Sequence, residues 1–381
     1  MTAGSGKPRP PPPLEVDAIC GRIRKRLERQ EAAALVIVGP VSDPTVRYAY
    51  QVYAQAENGD GDETPTQRGN SLLALAFDGD TWHAVCAPNE RVGAGGNDHP
   101  ARTLLDSVAP RLESSHLLVP ATIPHDAALY LEQAGCELAS STILVRCRFR
   151  KSPSEIERVG AAQAAAATGI ERVREHLARA SIEIGEEGHD ILIDEAEEPV
   201  TPSSLCRVLE RAVYDENVMP VRMSVQGGAT REDAITPTTP LVISTTVRES
   251  TGYHGFLCRT LIAEPDGGAT RRAHVAITHG LESVRVLASG EPPTVAALEG
   301  DLAAEIQAFG FRPHEVEVTA GGIGLEGTER PAGTDEIDRG VPLRIDARVE
   351  TDTGSVGLGG VLLPDPPSAR WLTADDRRLH P

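Results

Sequence analysis

Side chains that could hold a metal ion gather in one acidic stretch of the sequence. Those of the types that bind divalent metals are His189, Asp190, Asp194 and Glu195. They lie in GEEGHDILIDEAEEPVTP, residues 185–202, among many further acids. A block of like charges usually forms a solvated face. We therefore predict a surface excursion here and no metal site.

A glycine motif later in the chain has the spacing of a phosphate-binding loop. Gly322, Gly324 and Gly327 match G-x-G-x-x-G. In a dinucleotide site this loop opens a helix, whose N-terminus meets the phosphates. Here Pro331 and Gly333 follow, and both residue types break helices. The sequence therefore predicts no dinucleotide site.

The remaining reactive residue types have no suggestive partners. His274 and His279 lie five residues apart on a predicted helix, so their side chains diverge and a surface or core role is expected. No G-x-S-x-G motif of a serine hydrolase is present. The cysteines form no C-x-x-C pair, which favours reduced, mostly buried thiols over disulfides or a zinc site. They are Cys20, Cys86, Cys136, Cys147, Cys206 and Cys258.

Composition excludes several classes of partner. The 381 residues include 37 Lys plus Arg and 56 Asp plus Glu, a formal net charge of −19. We do not expect a chain this acidic to offer the basic face that nucleic acids and anionic membranes require. No apolar run approaches a membrane span, and the first residues lack a signal peptide, so we expect a cytoplasmic protein.

The scarcity of lysine and aromatic residues in this acidic chain indicates a high-salt environment. Lysine occurs only at positions 7, 25 and 151, and aromatic residues make up 3%. Such a composition is expected of a cytosol at molar salt, where charge repulsion is screened within about 3 Å. We interpret the chain as haloarchaeal in type; the alternative is an ordinary acidic protein from a GC-rich bacterium.

The elements that position these residues fall into two domains. Residues 1–13 form a Gly/Pro-rich tail expected to be disordered, and residues 14–147 alternate helices with strands. Within that α/β domain we predict a helix over 14–30 and a strand in AALVIVGP. A hairpin in SLLALAFDGDTWHAVCAP follows a mobile loop at 56–70. HLLVP and STILVRCRF are predicted strands that flank a helix over 126–134.

Residues 148–381 read as a second domain of the α+β class. Ser152, Pro153 and Glu155 have the spacing of a helix start with a capping box, and apolar residues then recur along one helical face. Three further helices are predicted, in SSLCRVLERAVYDE, RRAHVAITHGLESVRVLA and TVAALEGDLAAEIQAFGF. Strands are predicted in VRMSVQGG, PLVISTTV, GYHGFLCRTLIAEP, HEVEVTAGG, PLRIDARVE and VGLGGVLL.

Ordered motifs in this second domain resemble a known family. They are KSPSEI with its alanine-rich helix, PLVISTTVRESTGYHGFLCRT, GGIGLEGTERP, GVPLRIDARVE and GSVGLGGVLL. Together they are similar to the catalytic domain of the creatinase/Xaa-Pro aminopeptidase family, the "pita-bread" metallopeptidases that include prolidase and methionine aminopeptidase. The resemblance covers about residues 148–363. It implies a pita-bread C-terminal domain preceded by the family's smaller N-terminal α/β domain.

The same resemblance implies a degenerate metal site. The family holds two divalent ions with two aspartates, one histidine and two glutamates, and the ions activate a water. Carried over one position at a time, these ligands fall at Ser244 (or Thr245), Phe256, Gly321, Asp346 and Gly359. Of these only the Asp346 side chain can bind a metal, so the resemblance predicts no metal and no other cofactor.

Other motif positions are expected around the cleft. The resemblance places Tyr253, Arg259, Thr328 and Glu329 there, with Thr328 where the family has an assisting histidine. His254 lies inside a family-like motif; we predict that it faces away from Phe256 and has a structural or surface role.

Three functional hypotheses follow. The first is a metal-free, non-catalytic member of the family that binds a peptide or small ligand. The second is an active hydrolase, either an aminopeptidase that uses a divalent metal or a creatinase-like amidohydrolase without one. Its candidate residues are His254, His314, Glu326, Glu329 and Asp346. The third is a scaffold without a cleft ligand. We expect a homodimer, as family members commonly dimerise.

Overall fold

The computed structural model describes residues 14–58, 72–86, 99–112, 114–185, 188–228, 230–266, 268–290, 293–365, 367–373 and 377–380. The predicted tail 1–13 and residues 59–70 of the predicted mobile loop lie outside these ranges. The chain divides into two compact units, Met1–Ser154 and Glu155–Pro381, so the division falls in the first turn of a long helix. None of the described helices is long and apolar enough to cross a membrane.

The first unit contains a five-stranded mixed sheet in the order β3-β2-β1-β4-β5. Strand β1 pairs antiparallel with β2 and parallel with β4, and Ala34, Val36 and Val38 of β1 enter the core with helix residues. The predicted hairpin is confirmed, because β2 and β3 pair antiparallel around the turn at 78–81. The elements are α1 Val16–Arg29, β1 Ala34–Pro40, α2 Pro44–Asn58, β2 Leu72–Phe77, β3 Trp82–Cys86, α3 Pro100–Val108, β4 His116–Val119, α4 His125–Gln133, β5 Glu137–Ser140 and α5 Ile143–Phe149.

The prediction for STILVRCRF is wrong. Most of this segment forms helix α5, and the fifth strand is the preceding Glu137–Ser140. Its β-branched residues favour a strand, yet Leu144 and Cys147 are buried three residues apart, as a helix that packs beside α1 and α2 requires. Helices α2 and α3 were not predicted. The tertiary contacts of this unit therefore override weak local propensities.

The second unit contains a sheet of seven strands. Six follow the order β11-β12-β13-β10-β9-β8, every pair in it is antiparallel, and β14 pairs with β13. All the strands and helices predicted in this unit are confirmed. Its elements are α6 Pro153–Arg179, β6 Ser181–Ile184, β7 Asp190–Ile193, α7 Pro202–Asp215, β8 Met219–Gln226, β9 Leu241–Arg248, β10 His254–Leu261, α8 Ala269–Leu287, α9 Val295–Ala308, β11 Val316–Gly322, β12 Leu343–Thr351, β13 Gly354–Leu363 and β14 Arg370–Trp371.

Helices cover one face of this sheet. Ile243 of β9 and Leu257 of β10 enter a core with α6 and α7. Ile345 of β12 and Leu358 of β13 enter a second core with α8 and α9. Because successive strand residues point to opposite faces, the residues between these lie on the other side. We call the two sides the helix face and the inner face. The α/β unit followed by an α+β unit confirms the predicted fold class.

The predicted surface excursion at 185–202 is partly wrong. Strand β7 pairs antiparallel with β6, and Leu192, 2% exposed, belongs to the core with α6 and α7. The Leu192 backbone N–H donates to the Ile235 carbonyl. Of the acids that follow, Asp194 is half-buried, and Glu195, Glu197 and Glu198 are exposed as predicted. The high charge of the whole segment led to a wrong prediction for β7, whose four residues include three apolar ones and a single acid, Asp190.

Candidate functional site

The hairpin of β9 and β10 is shaped by a turn that needs glycine. Gly252 has φ +105°, a conformation that L side chains rarely adopt. The Glu249 carboxylate accepts hydrogen bonds from the backbone N–H groups of Thr251 and Tyr253, at 2.8 and 2.9 Å. These bonds fix where strand β10 begins.

Helix α6 fixes the next residues of β10. A Cβ atom on Gly255 would lie 2.5 Å from the backbone of Ala162 and Gln163, so helix and strand touch here without an intervening side chain. The Gln163 Oε1 atom accepts a hydrogen bond of 2.8 Å from the Phe256 backbone N–H. This bond fixes the backbone of Phe256, which is only 1% exposed.

A row of short side chains and one carboxylate crosses the inner face. In register, Ser244 lies opposite Cys258, Cys258 opposite Gly359, and Gly359 opposite Asp346. Directly opposed residues of antiparallel strands share a face and lie about 5 Å apart. Thr245, the alternative first position, alternates onto the helix face with Ile243, so Ser244 is the one on the inner face. The structure thus brings together most of the motif positions named from the resemblance.

Arginine side chains stand beside this row. Arg344, two residues before Asp346, places its guanidinium carbon 3.8 Å from the centroid of the Phe256 ring, a cation–π contact. Arg348, two residues after, has Nε 3.9 Å from the Asp346 Oδ2 atom and donates from Nη1 to Gln226 at 2.8 Å. Arg344 and Arg348 are both partly exposed.

Burial dominates the electrostatics of the row. It raises the pKa of the Asp346 carboxyl, an effect that nearby Arg348 and Arg344 oppose. Burial, and then the Asp346 charge, raise the pKa of the Cys258 thiol well above its ordinary value, so Cys258 is a protonated thiol and no nucleophile. The Cys258 thiol donates a hydrogen bond to the Asp346 carboxyl, and the buried Oδ1 atom of that carboxyl has no N–H or O–H partner within the described part of the chain. An unsatisfied buried acceptor is costly, so it is a feature that a ligand donor would relieve.

The residues present do not fit a dinuclear metal centre. Phe256 offers no lone pair, and Gly321 offers no side chain. A Cβ on Gly359 would lie 2.6 Å from the Ile345 carbonyl oxygen and 2.9 Å from the Asp346 Oδ1 atom, so the backbone has no room for a glutamate. No three His, Cys, Asp or Glu side chains come together as a metal site among the described residues.

The loop after β11 borders the inner face. A Cβ on Gly321 would contact the Thr328 methyl group at 3.7 Å and the Glu329 carbonyl oxygen at 3.8 Å, so these residues do meet. No helix follows the glycine motif, as predicted, and residues 323–330 form bends and one bridge. His314 lies in the 3-10 turn before β11, whereas Gly321 lies near the other end of that strand. The structure therefore does not assemble all the hydrolase candidates.

The predicted orientation of His254 is wrong. Residues two apart in a strand point to the same face, so His254 and Phe256 share the inner face. A Cβ on Gly327 would indeed approach both the His254 ring and Thr246, the residue opposite Phe256. His254 is 6% exposed, and its Nδ1 atom lies 3.1 Å from the Gly324 carbonyl oxygen. It therefore ties the loop after β11 to strand β10.

Tyr253 and Arg259, expected around the cleft, are both buried and make contacts within the fold. Tyr253 is completely buried, and its hydroxyl donates to the Glu155 carboxylate on α6 at 2.8 Å. Arg259 is 5% exposed and donates to the Gly359 carbonyl at 2.6 Å, beside Leu281 of α8. Both alternate onto the helix face, where they hold strands and helices in place.

The remaining residues considered from the sequence, Cys258 apart, lie outside the inner face. His189 and Asp190 are exposed. Burial lowers the pKa of His274 on α8, while His279 lies 3.2 Å from the Glu305 carboxylate. The described cysteine side chains, which exclude that of Cys86, are all free thiols, and Cys147, Cys206 and Cys258 are buried.

Sequence reasoning missed the two arginines of the inner face. The signal was present in PLRIDARVE, where Arg344, Asp346 and Arg348 alternate with apolar residues and must share one face of a strand. The contact of Arg344 with Phe256 has no sequence signal, since 88 residues separate them (344 minus 256).

Comparison with known proteins identifies the fold. No family model matches the sequence, and no curated protein is significantly similar to it. The structure is similar to an X-Pro aminopeptidase from Thermotoga maritima, with 14% identity, TM-score 0.70 and coverage of 95% of this chain and 99% of the other. A prolidase from Pyrococcus horikoshii gives 15% identity, TM-score 0.67 and coverage of 95% and 99%.

A further structural match is named as a subunit of a complex. The N-terminal domain of the FACT complex subunit SPT16 from chickpea is 12% identical, with TM-score 0.63 and coverage of 95% of this chain and 97% of that domain. Identities this low show the fold and leave the activity open. The chain has the two-domain prolidase-like fold, as its motifs predicted.

Proposed function

We propose that this chain is a non-hydrolytic protein with a prolidase-like fold, whose inner face binds a peptide or small ligand. The observation that carries the proposal is the contact of Arg344 with Phe256. Phe256 stands where the sequence resemblance places a metal ligand, and the Arg344 guanidinium lies over its ring. A guanidinium disfavours a second cation at the same place.

The chemistry of the inner face suggests what such a ligand carries. Arg344 and Arg348 are partly exposed guanidinium groups, which match carboxylates in charge and geometry. The Asp346 carboxyl accepts from the Cys258 thiol, but its buried Oδ1 atom has no N–H or O–H donor within the described residues and can accept from an ammonium or amide N–H. A peptide terminus or a small zwitterion offers both groups.

Metal analysis tests the non-hydrolytic part. The full chain is incubated with Mn²⁺, Co²⁺ or Zn²⁺ in high salt, desalted and analysed for bound metal. We expect much less than one equivalent per chain. Two equivalents would overturn the proposal, as would cleavage of alanyl-proline that is lost in both Asp346→Ala and His254→Ala.

A thermal-shift titration with alanyl-proline, a probe suggested by the structural matches, tests binding. The melting temperature should rise in the parent protein and stay unchanged in Arg344→Gln. Arg271→Gln is the control, because it removes the same charge from an exposed position of α8. If neither protein responds to the dipeptide or to free proline and alanine, the peptide-binding part fails and a scaffold role is favoured.

A further inference from the structure

Five cations surround one cavity in the first unit. Arg22, Lys25, Arg26 and Arg29 of α1 and Arg146 of α5 line a cavity of about 250 Å³, which we call the basic pocket. Ile143 and Cys147 contribute apolar surface to it. This concentration of positive charge lies in a chain whose formal net charge is −19.

The arrangement on α1 is a single helical face. The four cations lie at i, i+3, i+4 and i+7, positions that stack one above another. Cations so placed repel one another. The acids of α1, Asp17 and Glu28, lie off this face at 100° per residue. The face thus concentrates like charge that no other residue of α1 neutralises.

These cations have no anionic partners within the described residues. None of the five forms an ion pair there, whereas Arg24 of the same helix pairs with Asp80 at 3.3 Å. Arg26, Arg29 and Arg146 lie in the last turns of their helices, where a cation offsets the helix dipole. The dipole does not explain the two earlier cations of α1, nor why cations of two helices border one cavity.

We propose that the basic pocket binds a compact organic anion with two or more negative charges, a phosphate ester or a polycarboxylate. Guanidinium groups bind either oxyanion through paired hydrogen bonds. The volume lies below the ~300 Å³ at which sites for drug-sized ligands begin, which suits a small metabolite. Among the described residues no aromatic side chain lines the pocket for base stacking, and the net charge repels nucleic acids.

Titration calorimetry with pyrophosphate and with citrate tests this on the full chain. Each titration is made at the lowest salt that keeps the protein folded, against KCl of matched ionic strength. We expect saturable binding, and the anion that binds more tightly identifies phosphate or carboxylate as the ligand chemistry. The double variant Arg26→Gln/Arg146→Gln, one change on each helix, should lose about tenfold or more in affinity.

The matched control is Arg102→Gln/Arg111→Gln, which removes the same charge from exposed positions of the same unit and should bind like the parent. A second pocket variant, Arg22→Gln/Arg29→Gln, should show the same loss if the first one folds poorly. Equal binding by the pocket and control variants, or no saturable binding of either anion, would overturn the proposal. The result is independent of the inner face, because every residue tested lies in the first unit.

Discussion

The two faces of the seven-stranded sheet are built from the same strands but carry different kinds of side chains. On the helix face Ile243, Leu257 and Ile345 are no more than 3% exposed and pack against helices. On the inner face the same strands carry Ser244, Cys258 and Asp346, bordered by arginines. Alternation lets one strand satisfy both demands, since a change on one face leaves the other in place. The fold can therefore persist when the residues of the inner face change chemistry.

The largest expected effect on stability is at Gly359, an exception to the tolerance of the inner face, because the backbone there leaves no room for a side chain. Gly359→Glu would place a Cβ 2.6 Å from the Ile345 carbonyl and a second carboxylate beside Asp346. We expect a loss of about 3 kcal/mol or more in the free energy of unfolding, from overpacking and buried like charge. Chemical denaturation measures it.

The matched substitution is Gly321→His, at the other glycine that the sequence resemblance aligns with a metal ligand. Its Cβ would meet nothing closer than 3.6 Å, so we expect a loss below ~1 kcal/mol. Similar losses for Gly359→Glu and Gly321→His would contradict the difference in local room that the structure shows.

A second, somewhat smaller effect sharpens the comparison on the helix face. Gly255→Ala would drive a Cβ to within 2.5 Å of the α6 backbone, and we expect a cost of roughly 1–3 kcal/mol. Gly160→Ala on α6 meets nothing within 4 Å and should stabilise by about 0.5–1 kcal/mol, through helix propensity. Opposite signs in denaturation midpoints are the expected result; a neutral Gly255→Ala would mean that α6 lies farther from β10.

The smallest effect is a pH dependence from the inner face. Because burial raises the pKa of Asp346, the folded chain holds this proton more tightly than the unfolded chain. The contribution of Asp346 to stability therefore falls as pH rises from about 4 through its folded pKa. Asp346→Asn removes the titrating carboxyl. The free energy of unfolding of this variant relative to the parent should therefore increase with pH, by the order of 1 kcal/mol.

Melting temperatures between pH 4.5 and 8 measure this slope. Asp352→Asn, in the exposed turn between β12 and β13, is the control and should follow the parent. Parallel curves for Asp346→Asn and the parent would show that the carboxyl is not perturbed by burial.

Much of the fold was predictable because it rests on local patterns. The long helix α6 and the strands of the second unit have strong periodicity, and each was predicted. Helix α5 and strand β7 were not, since both are short and their neighbours decide their state. The orientation of His254 is itself a local property, because residues two apart in a strand share a face, and the sequence suffices to place His254 on the side of Phe256.

The sequence by itself determined which chemistry the family-like positions can hold. A phenylalanine, two glycines and one aspartate cannot supply the ligands of two metal ions, whatever surrounds them. Only the tertiary structure decided what occupies that place. Arg344 meets Phe256 because β12 and β10 lie near each other in the sheet. Likewise α1 and α5, about 115 residues apart, bring five cations to one pocket only when packed. Contacts between distant segments depend on packing, which local patterns do not encode.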